Sequence, residues 1–191
     1  MSSTARGTVR NANDYYVTPL WMVDEFLERF VPEYSIDVND SILDPCAGGC
    51  DKYEMSYPTV LAKHGFKDIT TIDIREDSRA ENKGVDYIKA FLDFDIDLVI
   101  TNPSFEDSVE ITNKALSDVK NRGFVVMLQR LNWLGSQKRK SFWDDAPLRE
   151  IYVHRKRAGF DPEKPNKTDS IEYAHFVFQK GYQGSVSLSI I

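Results

Sequence analysis

The chain has 191 residues, 41% of them hydrophobic and 12% aromatic, and a formal net charge of -6. The length suits one domain, and the apolar and aromatic content excludes an intrinsically disordered chain. The acidic balance argues against a free-standing nucleic-acid binder, which is more often basic, unless a local basic face exists.

No apolar run approaches the roughly 20 residues that span a bilayer, so no membrane partner is expected. Residues 1–13 are polar and lack an apolar signal core, which reads as a flexible arm on a cytoplasmic protein. Cys46 and Cys50 are too few for a disulfide framework. With no second Cys pair or nearby His they do not make a zinc site, and no metal is expected.

Thr18-Pro19 predicts a helix start with Thr18 as its cap, followed by Leu20, Val23, Phe26, Leu27 and Phe30 at helical spacing and an end before Pro32. Ser41 to Leu43 reads as a short buried strand stopping at Asp44-Pro45, and Cys46 to Tyr53 as a glycine-bearing loop. A helix over about Tyr57 to Lys63 closes at His64-Gly65. Strands follow at Asp68–Ile74, Val85–Ala90 and Asp97–Thr101. Glu106 to Lys120 is helical, Asn121-Arg122-Gly123 turns the chain, and Phe124 to Leu128 is a strand buried on both faces. Gln129 to Asp145 is a long, polar, partly helical connection, and Glu150–His154 and Ile171–Gln179 are two final strands. Alternating buried strands and helices predict an α/β fold, with a mostly parallel seven-stranded sheet, helices on both faces and an antiparallel edge. Residues 14–191 then form a single domain, with no separate target-recognition domain.

Such sheets bind ligands beyond the carboxyl ends of their strands. After the first strand, Asp44-Pro45-Cys46-Ala47-Gly48-Gly49 offers glycines for close backbone approach and a carboxylate for a cationic or hydroxyl group. Neither the dinucleotide glycine spacing nor a phosphate-loop lysine is present. Asp73 ends the second strand at an offset where an acid accepts hydrogen bonds from ribose hydroxyls. Both segments also suit plain turns. At the end of the Asp97–Thr101 strand stands Asn102-Pro103-Ser104-Phe105. An Asn side-chain oxygen and the next backbone carbonyl can both accept from one exocyclic amine, and an aromatic beyond them can stack on a base. Alone, Asn-Pro is an ordinary turn.

Together these segments resemble the S-adenosylmethionine-dependent amino-methyltransferases, in particular small phage and bacterial DNA adenine methyltransferases. The chain Tyr15-Tyr16-Val17-Thr18-Pro19-Leu20-Trp21 resembles the family's N-terminal cofactor motif, and Leu43 to Gly49 its glycine loop. Asp73 falls on its ribose-binding acid, and Ile100 to Phe105 resembles its Asn-Pro-Pro-Tyr/Phe signature. The likeness continues through Gln129 to Gly135 and Thr168 to Phe176.

The resemblance implies a Rossmann-like class I methyltransferase fold and S-adenosyl-L-methionine as cofactor. It implies Asn102, Pro103, Ser104 and Phe105 as catalytic residues. Tyr15, Tyr16, Thr18, Pro19, Asp44, Pro45, Cys46, Ala47, Gly48, Asp73, Ile74 and Asn102 would contact the cofactor. The family's second proline is Ser104 here, which puts the rigidity of that loop in question. Its acid after the third strand, which contacts the cofactor's adenine, has Asp93 as nearest candidate, placed slightly late.

Lys138-Arg139-Lys140, flanked by Trp133, Phe142 and Trp143, and His154-Arg155-Lys156-Arg157 are the dense basic clusters. Trp133, Lys138, Arg139, Lys140, Arg155 and Arg157 are therefore candidate nucleic-acid contacts, although solvated charged faces read the same way. Gly159 to Thr168 is a loop on the same rim. The expected activity is methyl transfer to the amino group of adenine in DNA, without a thiol nucleophile. RNA or a protein amide is the alternative acceptor, and a weakly catalytic cofactor-binding partner subunit is the alternative role. A partner subunit or a homodimer is the expected assembly.

Overall fold

A computed structural model describes residues 16–164 and 167–191; the expected arm over residues 1–13 and Tyr15 lie outside them. Helix α1 (Leu20–Tyr34) buries Met22, Val23, Phe26, Leu27 and Phe30 as one stripe. It runs past Pro32, contrary to the expected end. In the last turn that proline forfeits only the bond to the carbonyl of exposed Glu28, which water can satisfy. The helix closes at Ser35 with φ 50, and Ile36 N–H returns to the Val31 carbonyl at 3.1 Å. Thr18 is not its cap; Pro19 holds that position without a side-chain hydrogen bond.

Strand β1 (Ile42–Asp44), helix α2 (Ser56–Lys63) and strand β2 (Ile69–Asp73) follow as the apolar pattern predicts. The expected strand over Val85–Ala90 is not formed. A two-residue strand β3 (Asn82–Lys83) pairs with β2, Gly84 turns with φ 71, and Tyr87–Lys89 make a 3-10 turn. The Asp86 side chain accepts from Ile88 N–H at 3.2 Å, a local bond that outcompetes an extended ladder. Strand β4 (Ile96–Thr101) and helix α3 (Ser108–Asp118) lead into β5 (Val119–Arg130). The expected turn survives as an irregularity inside β5: Val119 pairs with Ile96, Phe124 with Leu98, and Arg122 between them has φ 67. Helix α4 (Lys140–Asp145) and strands β6 (Leu148–Val153), β7 (Tyr173–Gln179) and β8 (Ser187–Ile190) complete the described chain.

The eight strands form one sheet in the order β3-β2-β1-β4-β5-β7-β6-β8. Strand β7 runs antiparallel to both β5 and β6; the other pairings are parallel. The carboxyl ends of β1, β2, β4, β5 and β6 and the start of β7 therefore share one edge. Strand β8 exceeds the seven expected; its Ser-Leu-Ser-Ile alternation leaves Leu188 and Ile190 exposed.

Helices α1 and α2 cover one face of the sheet with Phe26, Leu27, Leu61 and Tyr152 in the core. Helices α3 and α4 cover the other with Ile111, Trp133, Phe142 and Phe176. Each fully buried large side chain of these layers contributes about 1.5–3 kcal/mol. Among the described residues no helix is long and apolar enough to cross a membrane.

Candidate active site

The tips of neighbouring strands β1 and β4 carry Asp44 and Asn102. Asp44 is fully buried. Its Oδ1 accepts from Cys46 N–H at 3.2 Å, while Oδ2 has no hydrogen-bond partner. Burial pushes its carboxyl up to about 7; the charge of Asp73 adds to this, while the Thr101 hydroxyl, close by but without a well-formed bond to Oδ2, and the Cys46 amide offset it in part. An orphaned, buried carboxylate oxygen is costly unless a cation or donor meets it. The loop beyond is wound on Gly48 (φ 67) and Gly49 (φ 73). A side chain at Gly49 would strike Met55 Cγ at 2.9 Å and Arg79 Cβ at 3.0 Å. Asp73 fastens this loop to β2: Oδ2 accepts from Gly48 N–H at 2.7 Å and Oδ1 from Arg75 N–H at 2.8 Å. Each oxygen keeps a lone pair for a further donor. Beside it Ile74 is exposed. Pro45 and Ala47 are buried under the loop, and Ala47 N–H bonds the Ile72 carbonyl at 3.0 Å. Burial and the adjacent Asp44 push the Cys46 thiol up, so it stays protonated and is a poor nucleophile.

Asn102 is oriented by Thr18. Its Nδ2 donates to Thr18 Oγ1 at 3.0 Å, and the Thr18 carbonyl is held by Ser56 Oγ at 2.7 Å. The hydroxyl that reads in sequence as a helix cap thus spends its acceptor on the site. With its amide hydrogens turned to Thr18, Asn102 presents its oxygen as an acceptor. Ser104 takes over the rigidity a second proline would supply. Its Oγ donates to Asp107 Oδ2 at 2.6 Å and accepts from Asp107 N–H at 3.1 Å, and Ser108 Oγ bonds the Phe105 carbonyl at 3.1 Å.

Past Asn102 lies an aromatic wall. The Arg130 guanidinium stacks over Phe105 at 4.1 Å, and its Nε donates to Tyr173 Oη at 3.3 Å. Tyr173 packs on Phe160 at 4.7 Å, and Phe160 meets Tyr16 edge-on at 6.5 Å. Arg155 and Arg157 follow the tip of β6 on this same edge, both exposed, with Arg157 paired to Glu172 at 2.9 Å. The expected rim loop crosses the edge: Glu163 pairs with Lys52 and accepts from Tyr53 Oη at 3.4 Å, while residues 165–166 lie outside the described set.

Five of the expected contact residues are not brought here. Asp93 precedes β4 and so sits at the opposite end of the sheet from Asn102. The carboxylate that does follow β3 on the correct edge is Asp86, beside Val85, whose N–H bonds the Asp73 carbonyl at 3.1 Å. Trp133 is buried in the α3/α4 layer against Phe142 and Phe176, so it offers no free face. Arg139 braces backbone carbonyls, donating to Trp133 O at 2.8 Å and Asn132 O at 3.3 Å, and Lys140 pairs with Asp144. Lys138 is exposed on that same layer.

The sequence reading also missed a buried chain beneath the rim. Tyr57 Oη meets His175 Nε2 at 2.9 Å, His175 Nδ1 meets His154 Nε2 at 2.8 Å, and His154 Nδ1 meets Glu25 Oε2 at 3.3 Å. A carboxylate only accepts, so the donors run from Tyr57 through both neutral imidazoles to Glu25. Burial holds both imidazoles below their ordinary range. The chain ties α1 and α2 to β7 and the end of β6.

No protein-family model matches the chain, and no curated protein matches it. Solved structures do. A Listeria monocytogenes protein assigned as a class I S-adenosylmethionine-dependent methyltransferase is similar with TM-score 0.65 and 15% identity, over 97% of this chain and 68% of that one. A Pyrococcus horikoshii protein assigned as an RNA methyltransferase gives TM-score 0.63 and 14% identity, over 93% and 94%. The M protein of the type I restriction enzyme EcoKI gives TM-score 0.59 and 13% identity, over 87% of this chain and 44% of that one. At such identities the likeness is one of architecture: the chain has the Rossmann-like fold of the class I S-adenosylmethionine-dependent methyltransferases.

Proposed function

We propose that this protein is an enzyme that transfers a methyl group from S-adenosylmethionine to the exocyclic amine of adenine in DNA. The observation that carries the reading is the Thr18–Asn102 hydrogen bond of 3.0 Å, which leaves the Asn102 oxygen as acceptor at the tip of β4, next to the orphaned Asp44 Oδ2 at the tip of β1. S-adenosylmethionine fits these residues: Asp44 suits its ammonium, Gly48 and Gly49 admit close approach, and Asp73 has lone pairs for ribose. Tyr16, Thr18, Pro19, Pro45, Cys46, Ala47 and Ile74 would line the remainder, and Asp86 takes the place expected of Asp93. When bound, the cofactor supplies an electrophilic methyl group on a sulfonium.

The chain's own residues do the rest. Asn102 Oδ1 and the Pro103 carbonyl hold the amine, aim its lone pair and offset the positive charge that grows on nitrogen. Phe105 offers the base a stacking plane. Ser104, through Asp107, keeps the loop in place. Arg155 and Arg157 receive phosphates on the rim. The likeness to a restriction-enzyme M protein supports DNA as acceptor; the likeness to an RNA methyltransferase favours RNA as the second reading.

Incubation with radiolabelled S-adenosylmethionine and mixed DNA and RNA, followed by digestion and separation of the nucleosides, tests it. Label in amino-methylated deoxyadenosine is the expected result. Label in ribonucleosides alone selects the second reading, and none in either at high protein concentration removes the enzymatic one.

A further inference from the structure

One face of Phe105, the ring proposed to take the base, already carries a planar group. Arg130, the last residue of β5, lays its guanidinium over that ring at 4.1 Å and is steadied by Tyr173 Oη at 3.3 Å. Tyr173 is in turn held by Asp169, to whose Oδ2 it donates at 2.8 Å. Among the described residues no carboxylate lies within ion-pair distance of Arg130, as is also true of Arg149 and Arg155, whereas Arg75 and Arg157 each have one. Its charge is met by an aromatic face and a hydroxyl only, on a half-buried side chain. Such a cation is under-compensated, and a phosphate is the partner its planar fork fits best.

We propose that Arg130 is a gate on the stacking face of Phe105 that a phosphodiester backbone opens and an isolated nucleoside does not. This rests on the nucleic-acid reading above and narrows it to a polymer. A neutral nucleoside that displaces Arg130 exchanges one stacked plane for another and leaves the guanidinium without a partner, so it gains little. A strand gives the guanidinium an anionic oxygen pair to turn to while the freed ring takes the base. The surroundings supply the track. Strand β7 separates β5 from β6, so Arg130 lies about 10 Å, two strand spacings, from the tip that carries Arg155 and Arg157. The gate therefore couples entry of a base to contact with the backbone that bears it. That keeps free nucleosides away from Asn102.

The test is nuclear magnetic resonance of the Arg130 side-chain Nε–Hε signal. Stacking on Phe105 shifts it upfield, and Phe105→Leu, which abolishes that shift, assigns it. A mixed-sequence single-stranded oligodeoxynucleotide should return the signal to its ordinary position, whereas saturating adenosine should leave it in place. Binding of the oligonucleotide, followed independently by fluorescence anisotropy, without movement of the signal overturns the gate while the nucleic-acid reading stands. No binding of the oligonucleotide overturns that reading and the gate with it.

Transfer assays give the second arm. Arg130→Lys keeps the charge for phosphate and loses the stacked plane. It should raise transfer to adenosine about tenfold relative to transfer to the oligonucleotide. A simple phosphate-binding role predicts no gain on adenosine, and that result also overturns the gate.

Discussion

The carboxyl edge of the sheet is built in two styles. Around the tips of β2, β1 and β4, polar groups are buried and tied to backbone: Asp44, Asp73 and Thr18 are 0%, 5% and 4% exposed. Around β5, β7 and β6 the rim is charged and open, with Arg155, Lys156, Arg157 and Glu172 exposed and Arg130 held by stacking. A small ligand of fixed shape can be met by a preformed pocket. A polymer of varied sequence needs groups that exchange partners at low cost, which exposed charges do because water and salt already screen them. Under the proposed function, the difference separates the donor side from the acceptor side.

The largest expected effect falls at the seam between the two. Asn102→Ala removes the amine acceptor and should lower methyl transfer by about 10²–10³-fold, the range seen when one preorganised hydrogen-bonding group is lost from an active site. Cofactor affinity, read by calorimetry, should change only severalfold, because Asp44, Gly48 and Asp73 are untouched. A parallel collapse of both would show that the two sides are not separable.

Next comes the donor side itself. Gly49→Val forces a side chain at φ +73 into Met55 and Arg79. It should destabilise the fold by about 1–3 kcal/mol and abolish cofactor binding, as thermal melting and calorimetry would report. Asp44→Asn should do the opposite to stability. The buried carboxyl has been raised from 3.8 to about 7. Between those values the unfolded chain ionises it while the fold keeps it neutral, so stability falls as pH rises through that window, by about 1–4 kcal/mol in all. The asparagine variant should therefore melt higher than the native chain above about pH 7 and nearly equally near pH 4, yet bind cofactor more weakly. In the native chain, cofactor affinity should drop about tenfold per unit of pH below about 7, as Asp44 must release its proton to meet a cation.

A smaller effect should come from the buried chain under the rim. Tyr57→Phe leaves His175 Nε2 without a donor, which costs about 1–3 kcal/mol in denaturant unfolding. Both imidazoles are held below their ordinary 6.5 by burial. Their neutrality is undisturbed above that value. Below it the unfolded chain takes up protons first, so the contribution of these rings falls as pH drops below about 6.5, against the opposite trend set by Asp44. With that opposing trend removed by Asp44→Asn, a stability profile flat from about pH 7 to about pH 5 would mean that these rings are not kept neutral by the fold.

Sequence made the donor side legible because its signals are local. Apolar spacing fixed α1, short apolar runs fixed β1 and β4, and Asp44 and Asn102 mark where those runs stop. Most of what it missed depends on partners distant in the chain, the turn after Gly84 excepted. Thr18 reads as a cap because nothing nearby shows that Asn102 will claim its hydroxyl. Tyr87 and Ile88 alternate like a strand, but Gly84 and the Asp86 side chain wind them into a turn. Asp93 is the first acid after the expected Val85–Ala90 strand, but the strand that forms ends at Lys83, so Asp86 is the acid that follows it. Trp133 beside Lys138 looked like an interface, although its indole fills the layer opposite Asn102. The His154–His175 pair joins strands 21 residues apart in sequence, and no periodicity announces it.

The finest distinction concerns the two basic clusters, which composition alone treats alike. Lys138 and Lys140 belong to the α4 layer, where Phe142 packs against Trp133 and Lys140 is paired with Asp144. Arg155 and Arg157 leave the tip of β6 on the edge that carries Asn102 and Arg130. The pair of Arg157 with Glu172 is about half exposed, at 49% and 52%, so a phosphate can replace the carboxylate at little cost. The salt dependence of oligonucleotide binding counts the phosphates a protein neutralises. Arg155→Ala with Arg157→Ala should therefore reduce that slope by about 2, and Lys138→Ala with Lys140→Ala by about 0. Equal losses from the two double variants would carry the strand over both faces of the sheet. The contrast between a closed donor side and an open acceptor rim would then no longer describe where the polymer lies.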